Sequence, residues 1–190
     1  MTGVHGPALA RLALPDDAAG RLGAYLDRLA AWSARVNLTG ATDPETRVER
    51  LVAEVLPALG WLEGPSLLDV GSGNGSPGLV LALLRPDLRA TLLEPRAKRW
   101  AFLREAARDT GRSDIQVLRE RHDQYSGPPA TTVTLRALAL PLADLSSAVA
   151  ASGRLLVFGG APRPEPPFRL EAEAPLPRSR LHVFRRERST

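Results

Sequence analysis

Glycines at alternate positions are the residues whose types and spacing point most directly to chemistry in this chain. Gly71, Gly73 and Gly75 follow the apolar run Leu67–Val70, and a second apolar run, Leu79–Leu84, comes soon after. Glycine accepts a positive φ and carries no Cβ, so a ligand can lie against the backbone of such a turn. The amide groups that open the next helix then face that ligand. The pattern predicts a nucleotide-type cofactor loop at the carboxyl end of a buried strand.

Acidic residues flank this loop. Asp69 lies two residues before the first glycine, and Glu94 closes the next predicted strand, residues 90–94. A carboxylate at that point can accept hydrogen bonds from both hydroxyls of an adenosyl ribose. The loop and its following acid together resemble the cofactor loop of S-adenosylmethionine-dependent methyltransferases. The dinucleotide fingerprint G-x-G-x-x-G has a different spacing, so an NAD-linked oxidoreductase is a distant alternative, and an ordinary strand-to-helix turn is another.

Three further side chains occur where a parallel sheet would bring them to the same ligand. His122 and Asp123 follow the third predicted strand, and Arg136 ends the apolar run 132–135. Open α/β sheets bind ligands at the carboxyl ends of their strands. We expect the first two to read the adenine and Arg136 to contact substrate or the methionine end of the cofactor; the alternatives are a solvated turn and a surface arginine. The expected cofactor contacts are Asp69, Gly71, Gly73, Gly75, Ser76, Glu94, His122, Asp123 and Arg136.

The elements that must position these residues fall into three regions. Up to residue 64, Asp16-Asp17 can open one helix and the residues from Val48 to Leu56 form another. Residues 66–160 alternate between strands (66–70, 90–94, 114–118, 131–135, 154–158) and helices (77–84, 96–109, 142–151), which predicts an α/β fold with a mostly parallel sheet flanked by helices. A proline-rich connector from residue 161 precedes two antiparallel strands. We expect an N-terminal helical extension, 1–64, and a Rossmann-like methyltransferase domain, 65–190, in one compact unit.

Composition limits the class of protein. The chain has 190 residues, 44% of them hydrophobic, which suffices for one domain with a sizeable core. It contains no cysteine, and its three histidines are too scattered to predict a metal site. Its apolar runs fall well short of the roughly 20 residues of a membrane span. Nor does its start show a secretory signal, so we expect a cytoplasmic protein without membrane contact.

The basic residues are almost all arginine. The net charge is +4, and Lys98 is the only lysine. Arginine binds phosphates in a bidentate manner and stacks on bases, which fits a nucleic-acid partner. A GC-rich genome would produce the same composition and is the competing explanation. Arg96, Lys98, Arg99 and Arg104 occur together on one predicted helix, which is either an RNA-docking face or a solvated surface.

Several short motifs extend this pattern along the chain from about Arg28 to Gly160. The glycine loop ends in Pro77-Gly78. This ending is a more specific sequence pattern than the loop of methyltransferases in general. The other matching stretches are Asn37-Leu38-Thr39, Arg85-Pro86-Asp87, Lys98-Arg99 with Phe102-Leu103-Arg104, Arg136-Ala137 and Gly153-Arg154-Leu155-Leu156. Together they resemble the GidB (glucose-inhibited division protein B) family. The chain departs from the family pattern at Leu51, Glu54, Val55, Leu135 and Phe158.

The resemblance implies an S-adenosylmethionine-dependent methyltransferase that modifies N7 of a guanine in 16S small-subunit ribosomal RNA. It implies Arg136 and Asn37 as catalytic residues, although an asparagine there could also simply cap or turn the chain. The expected partner is small-subunit rRNA or the assembling small subunit, and we expect a monomer. A methyltransferase of the same fold with another substrate is one alternative. A non-catalytic, cofactor-holding RNA-binding relative is the other.

Overall fold

Seven strands form one sheet at the centre of the fold. The computed structural model describes residues 3–15, 17–160 and 162–188. The strands are β1 (Ser66–Val70), β2 (Arg89–Leu93), β3 (Gln116–Leu118), β4 (Ala130–Arg136), β5 (Val149–Phe158), β6 (Phe168–Pro175) and β7 (Arg180–Arg186). Their order across the sheet is β3-β2-β1-β4-β5-β7-β6. The first five pair in parallel, and β7 runs antiparallel to both of its neighbours.

The parallel register brings the ends of three strands to one edge of the sheet. Val70 of β1 pairs with Leu93 of β2 on one side and with Leu135 of β4 on the other. The glycine loop, Glu94 and Arg136 therefore emerge next to one another. Four of the five residues of β1 are buried, as expected for a parallel strand that is covered on both faces.

Two hydrophobic cores lie on opposite faces of this sheet. Leu67 belongs to a core shared with the helices, whereas Leu68 and Val70 belong to the second core. The helices are α1 (Gly6–Leu9), α2 (Ala18–Ser33), α3 (Pro44–Val48), α4 (Gly78–Leu84) and α5 (Ala97–Asp109). A π-helical turn (Glu49–Ala53) and three 3₁₀ turns (Leu56–Trp61, His122–Gln124, Leu142–Leu145) complete the elements. None of the helices in the described ranges has the length and apolar character needed to span a membrane.

The helices that precede β1 pack into the same core as α4 and α5. Leu22, Tyr25 and Leu26 of α2 are fully buried and share that core with Phe102 of α5. The rings of Tyr25 and Phe102 lie 6.4 Å apart and tilted, which is a favourable aromatic arrangement. The N-terminal helices are therefore structurally continuous with the sheet, and the division at residue 64 stays a prediction.

Local details differ from the sequence predictions at three places. The predicted helix 142–151 is wrong, because the chain makes only a 3₁₀ turn at 142–145 and then enters β5 at Val149. There Val149 pairs with Ala130 of β4, and this pairing overrides the helix propensity of the alanines that follow. Asp17 precedes α2 with φ 60° and makes no side-chain cap, and Asp16 lies outside the described residues. The second N-terminal helix is interrupted by the π-helical turn.

Ion pairs connect β5, β6 and β7 at the end of the sheet remote from the glycine loop. Both carboxylate oxygens of Glu171 accept hydrogen bonds from Arg154 at 2.9 Å, and one also accepts from Arg185 at 2.9 Å. Arg185 pairs with Glu63 as well, at 2.8 Å. The two guanidinium groups hold the pKa of Glu171 down at about 2. The C-terminal hairpin is thereby tied to the segment that precedes β1.

Candidate functional site

A cleft of about 1110 Å³ opens along the carboxyl ends of β1, β2 and β4. Small-molecule sites usually enclose roughly 300–1,000 Å³, so this volume suffices for a nucleoside-sized ligand. The cleft is lined by segment 38–40, the glycine loop, residues 94–96, residues 120–123 and residues 136–141. The residues predicted as site residues that line it are Gly71, Gly73, Ser76, Glu94, His122, Asp123 and Arg136. Asp69, Gly75 and Asn37 are not part of the lining.

The glycine loop needs its glycines for backbone conformation. Gly71, Gly73 and Gly75 have φ values of 74°, 53° and 94°, in the left-handed region that side chains with a Cβ rarely adopt. The amide groups of Gly71 and Ser72 donate to the carbonyl of Leu93 at 3.0 and 2.9 Å. The loop is therefore fastened to the end of β2 while its backbone stays open to the cleft.

The N-terminal segment, including α2, contacts the glycine loop on the side that faces the core. The hydroxyl of Tyr25 donates to the carbonyl oxygen of Asn74 at 2.8 Å, and burial raises the pKa of this phenol. The side-chain amide of Asn74 donates to the carbonyl of Leu38 at 3.2 Å. A Cβ on Gly75 would lie only 3.1 Å from the ring of Tyr25, so this glycine faces the core. The sequence reasoning missed Tyr25 as a supporting residue, because its position on α2 is typical of a core residue.

Glu94 lies at the end of β2 with its carboxylate against the loop. It is 2% exposed, and its two oxygens accept from the amides of Gly73 at 2.9 Å and Arg96 at 2.8 Å. A carboxylate oxygen has two lone pairs, so each can still accept from a ligand hydroxyl. The geometry is compatible with the predicted role as ribose acceptor, which stays a prediction.

Asp69 lies beneath the loop rather than on the surface of the cleft. Its Oδ1 accepts from the hydroxyl of Thr134 at 2.6 Å, while its Oδ2 is buried without a partner among the described residues. Burial raises the pKa of Asp69 to about 6. A Cβ on Gly78 would come closer than 3.0 Å to Asp69, so the first residue of α4 must be glycine for the helix to approach β1 this closely. Asp69 and Gly78 therefore position the glycine loop from the side that faces away from the cleft.

Arg136, the last residue of β4, crosses the cleft toward the start of α4. Its Nη1 donates to the hydroxyl of Ser76 at 2.9 Å, and its Nη2 donates to the carbonyl of Arg50 at 3.1 Å. The hydroxyl of Ser76 in turn donates to the carbonyl of Leu51 at 2.9 Å. Burial lowers the pKa of Arg136, opposed by the nearby negative charge of Glu54. The guanidinium is held at the cleft wall by one backbone carbonyl and one serine hydroxyl, and no sequence motif predicts the carbonyl.

The adenine-reading prediction concerns the 3₁₀ turn His122–Gln124. His122 and Asp123 line the cleft on the side of Glu94, and the Asp123 carboxylate accepts from Arg121 at 3.2 Å. Across from them lies the segment after β4, where Ala137 has φ 53° and Leu138 keeps 43% of its surface exposed. The Cδ2 atom of Leu138 lies over Gly71. The sequence reasoning missed Leu138, whose position two residues after Arg136 was the available signal.

The remaining predicted residues lie at the rim. Asn37 is exposed, and its carbonyl accepts from Arg99 at 3.3 Å, so the structure places its backbone beside α5 and leaves its side chain out of the cleft lining. Arg96 and Arg99 line the cleft, Lys98 is exposed beside them, and Arg104 stacks over Trp100 at 4.8 Å. The α5 cations therefore border the opening.

The departures from the family pattern are mostly core positions. Leu51, Val55, Leu135 and Phe158 are 0–4% exposed and pack in the two cores. Glu54 is also buried, but its carboxylate accepts from the Arg178 amide at 2.9 Å and from the Ser179 hydroxyl. The residues present at these positions therefore keep the elements packed.

The residues present fit S-adenosylmethionine. A Cβ placed on Gly71 or Gly73 would approach no atom closer than 3.4 Å, so the backbone of both is open to a ligand. The buried carboxylate of Glu94 borders the same space. An adenosyl group and a charged methionine end both find partners of suitable chemistry along this edge.

Comparison with known proteins gives the same assignment. The profile of the GidB family, described as rRNA small subunit methyltransferase G, matches residues 19–160. Ribosomal RNA small subunit methyltransferase G of Neisseria gonorrhoeae is 38% identical over 148 residues, which cover 77% of this chain and 70% of that protein. The protein of the same name from Halorhodospira halophila is 39% identical over 144 residues, which cover 74% and 68%.

Solved structures share the fold. An RNA methyltransferase from Salinibacter ruber, in complex with S-adenosyl-L-homocysteine, superposes with a TM-score of 0.59 at 17% identity over 79% of this chain and 96% of that one. Mitomycin 7-O-methyltransferase MmcR superposes with a TM-score of 0.59 at 18% identity, over 75% and 55%. The predicted Rossmann-like methyltransferase fold is confirmed.

Proposed function

Since this chain belongs to the GidB family of rRNA small subunit methyltransferases G, we propose that it methylates N7 of a guanine in 16S rRNA, with Arg136 positioning the base or its phosphate. The chain is a methyltransferase and uses S-adenosylmethionine. The observation that carries the finer proposal is the position of Arg136. It faces the open backbone of the glycine loop across one cleft, so its guanidinium can contact a substrate beside the cofactor.

Guanine N7 requires little from the protein chemically. The atom carries an in-plane lone pair and no proton, so it can attack a sulfonium methyl group without a general base. S-adenosylmethionine supplies that methyl group when bound. The chain must align the two reactants and exclude water, which is where positioning contributes most to the rate. A cleft that places one half-buried arginine beside the glycine loop is adequate for this reaction, since the reaction needs no general acid–base pair.

We propose the loop residues Gly71 and Gly73, and the backbone of Ser76, as contacts for the methionine part of the cofactor. Glu94 is the proposed ribose acceptor, and His122 with Asp123 the proposed adenine contacts. Asp69 and Gly75 support the loop from behind. Asn37 is proposed at the outer edge of the substrate opening, because its neighbours in segment 38–40 line the cleft.

The rim of α5 is the proposed RNA-docking face. Arg96 and Arg99 line the opening, and Lys98 extends the same cationic surface. Each phosphate contact contributes a slope of roughly −0.7 to log affinity against log salt on single-stranded regions. Replacing Arg96 and Arg99 by glutamine should therefore reduce the slope by about 1.4. The matched control is a glutamine replacement of two exposed arginines on the β6–β7 hairpin, Arg169 and Arg180, which should leave the slope unchanged.

Nucleoside mass spectrometry of small-subunit rRNA tests the reaction directly. Cells lacking the gene should lose one N7-methylguanosine, and purified protein with S-adenosylmethionine should restore it. Persistence of that nucleoside after deletion would favour a methyltransferase of this fold with another substrate. Binding of S-adenosylhomocysteine and rRNA without transfer would favour the non-catalytic relative.

Arg136→Ala tests the role of the arginine. We expect the rate of methyl transfer to fall about 100-fold, the loss seen when one preorganised donor to a reacting group is removed. Arg21→Ala is the control, because Arg21 also donates to a backbone carbonyl, that of Leu83 at 3.2 Å, but lies outside the cleft lining. Equal rates in the two variants would rule out a substrate role for Arg136. A monomeric, cytoplasmic enzyme remains part of the proposal, to be checked by light scattering and cell fractionation.

A further inference from the structure

The π-helical turn Glu49–Ala53 leaves two particular carbonyls without their usual helical donors. In an α-helix the amide of each residue bonds to the carbonyl four residues earlier. Here the amide of Glu54 bonds to Glu49 instead of Arg50, and the amide of Val55 bonds to Val52 instead of Leu51. The carbonyls of Arg50 and Leu51 therefore lose the donors that a regular helix would give them.

These same two carbonyls hold the arginine at the centre of the cleft. The Arg50 carbonyl accepts directly from Nη2 of Arg136 at 3.1 Å. The Leu51 carbonyl accepts from the Ser76 hydroxyl at 2.9 Å, and that hydroxyl accepts from Nη1 of Arg136 at 2.9 Å. Both ends of the guanidinium fork are thus fixed by one turn of backbone. Ser76 is 6% exposed, so water competes little for its hydroxyl.

The far end of the turn is fixed as well. Glu54, which follows the π-helical turn, is 2% exposed and accepts from the Arg178 amide at 2.9 Å and from the Ser179 hydroxyl. These two residues form the tip of the β6–β7 hairpin. The turn is consequently held between the hairpin and the cleft, so its altered hydrogen bonding is supported from outside. π-turns of this kind are rare and occur frequently at functional sites.

We propose that the π-helical turn Glu49–Ala53 is a positioning element for methyl transfer, which directs Arg136 into the cleft through the carbonyls of Arg50 and Leu51, with Ser76 as the positioning residue between them. The inference rests on the proposed role of Arg136 in the reaction. It makes Ser76 a support for the arginine, since its hydroxyl is already engaged on both sides. It also explains how a half-buried cation is held beside the glycine loop without a direct carboxylate partner among the described residues.

Ser76→Ala tests the proposal by removing the hydroxyl while leaving the turn and Arg136 in place. We expect kcat on small-subunit rRNA to fall about tenfold or more, as for loss of a hydrogen bond to a charged group. The dissociation constant of S-adenosylhomocysteine should change less than about threefold. Ser33→Ala is the matched control, because the Ser33 hydroxyl also donates to a helix carbonyl, that of Leu29 at 2.7 Å, on the far part of α2. It should leave kcat unchanged.

Deletion of Ala53 tests the turn itself, because removing one residue allows an α-helical register in which Arg50 and Leu51 regain backbone donors. ¹⁵N NMR of the arginine side chains measures the rotation of the Arg136 guanidinium independently of activity. Restricted rotation of one guanidinium, assigned by its absence in Arg136→Lys, should be lost in both Ser76→Ala and the deletion. If the deletion does not fold, Ser76→Ala alone decides.

Two outcomes separate this inference from the proposed function. Unchanged kcat and unchanged guanidinium rotation in Ser76→Ala would overturn the positioning role, even in an enzyme that methylates rRNA. The wild-type protein could fail to methylate rRNA and still show a restricted Arg136 guanidinium that rotates freely in Ser76→Ala. That result would refute the rRNA substrate and would support the positioning of Arg136 by the turn. A lowered kcat with unchanged rotation would also overturn the inference, since Ser76 would then act without Arg136.

Discussion

Gly78→Ala should destabilise the protein although the new methyl group is small. Gly78 is the first residue of α4, and its added Cβ would come closer than 3.0 Å to the Cβ and the carboxylate of Asp69. Neither partner can shift to make room, because Asp69 is 1% exposed in β1, between β2 and β4, and α4 is buried along its whole length. Overpacking of a filled core typically lowers stability by about 1–3 kcal/mol, and the contact with the Cβ of a buried strand residue favours the upper end, about 3 kcal/mol.

Gly20→Ala is the matched control within the same chain. Gly20 lies in α2, is exposed and has no atom within 4 Å of its added Cβ. The same substitution should therefore stabilise the protein by about 0.5–1 kcal/mol through helix propensity alone. Urea unfolding followed by circular dichroism gives both free energies, and we expect the two variants to differ by about 4 kcal/mol in total. Equal stabilities would refute the conclusion that Gly78 permits the approach of α4 to β1.

Three further outcomes follow from the site and from the ion-pair network. Asp69→Asn should raise the free energy of unfolding at pH 8 by about 2–3 kcal/mol, since the buried carboxylate has its pKa raised to about 6 and each pKa unit corresponds to 1.36 kcal/mol. The folded state therefore holds that proton more tightly than the unfolded state, so the difference should vanish as the pH falls to about 4 in urea titrations. Glu171 behaves oppositely, because its pKa is lowered to about 2. The stabilisation that its carboxylate gives is present above about pH 4.5 and is lost as the pH falls toward 2. Glu171→Gln should therefore be less stable than wild type by about 1 kcal/mol at pH 6 and equally stable in acid. Gly73→Val should weaken S-adenosylhomocysteine binding by more than tenfold in calorimetry, because Gly73 has a φ of 53° and lies at the open face of the loop. Gly111→Val is the control, since Gly111 also has a positive φ (75°) but lies outside the cleft lining, and this variant should bind normally.

Strands of the sheet were predictable because each is a short apolar run between loop residues. The observed β1, β2 and β4 begin and end within one residue of their predicted bounds, since burial on both faces leaves little ambiguity in such runs. Segment 142–151 shows the limit of local propensity. Pairing of Val149 with Ala130 is a contact between distant parts of the chain, and nothing in the composition of that segment encodes it.

The residues that line the cleft were predictable only where they belong to a local sequence motif. Gly71, Glu94 and Arg136 come together because the ends of parallel strands share one edge. Asp69 belongs to the same motif, yet it lies beneath the loop, because the alternation of β1 points it toward Thr134 and α4. Arg136 is held by the carbonyl of Arg50 directly and by that of Leu51 through the Ser76 hydroxyl, and the availability of these two carbonyls depends on helix hydrogen bonding.

The hydrogen bond from Tyr25 to the carbonyl of Asn74 links the glycine loop to the first long helix, and this has a consequence for dynamics. A ligand that orders the loop also opposes local opening of α2, because the two segments share a buried hydrogen bond and a core. Saturation with S-adenosylhomocysteine should therefore slow amide hydrogen exchange in α2, although no residue of α2 lines the cleft. The same coupling free energy therefore contributes both to cofactor affinity and to the cooperativity of N-terminal unfolding.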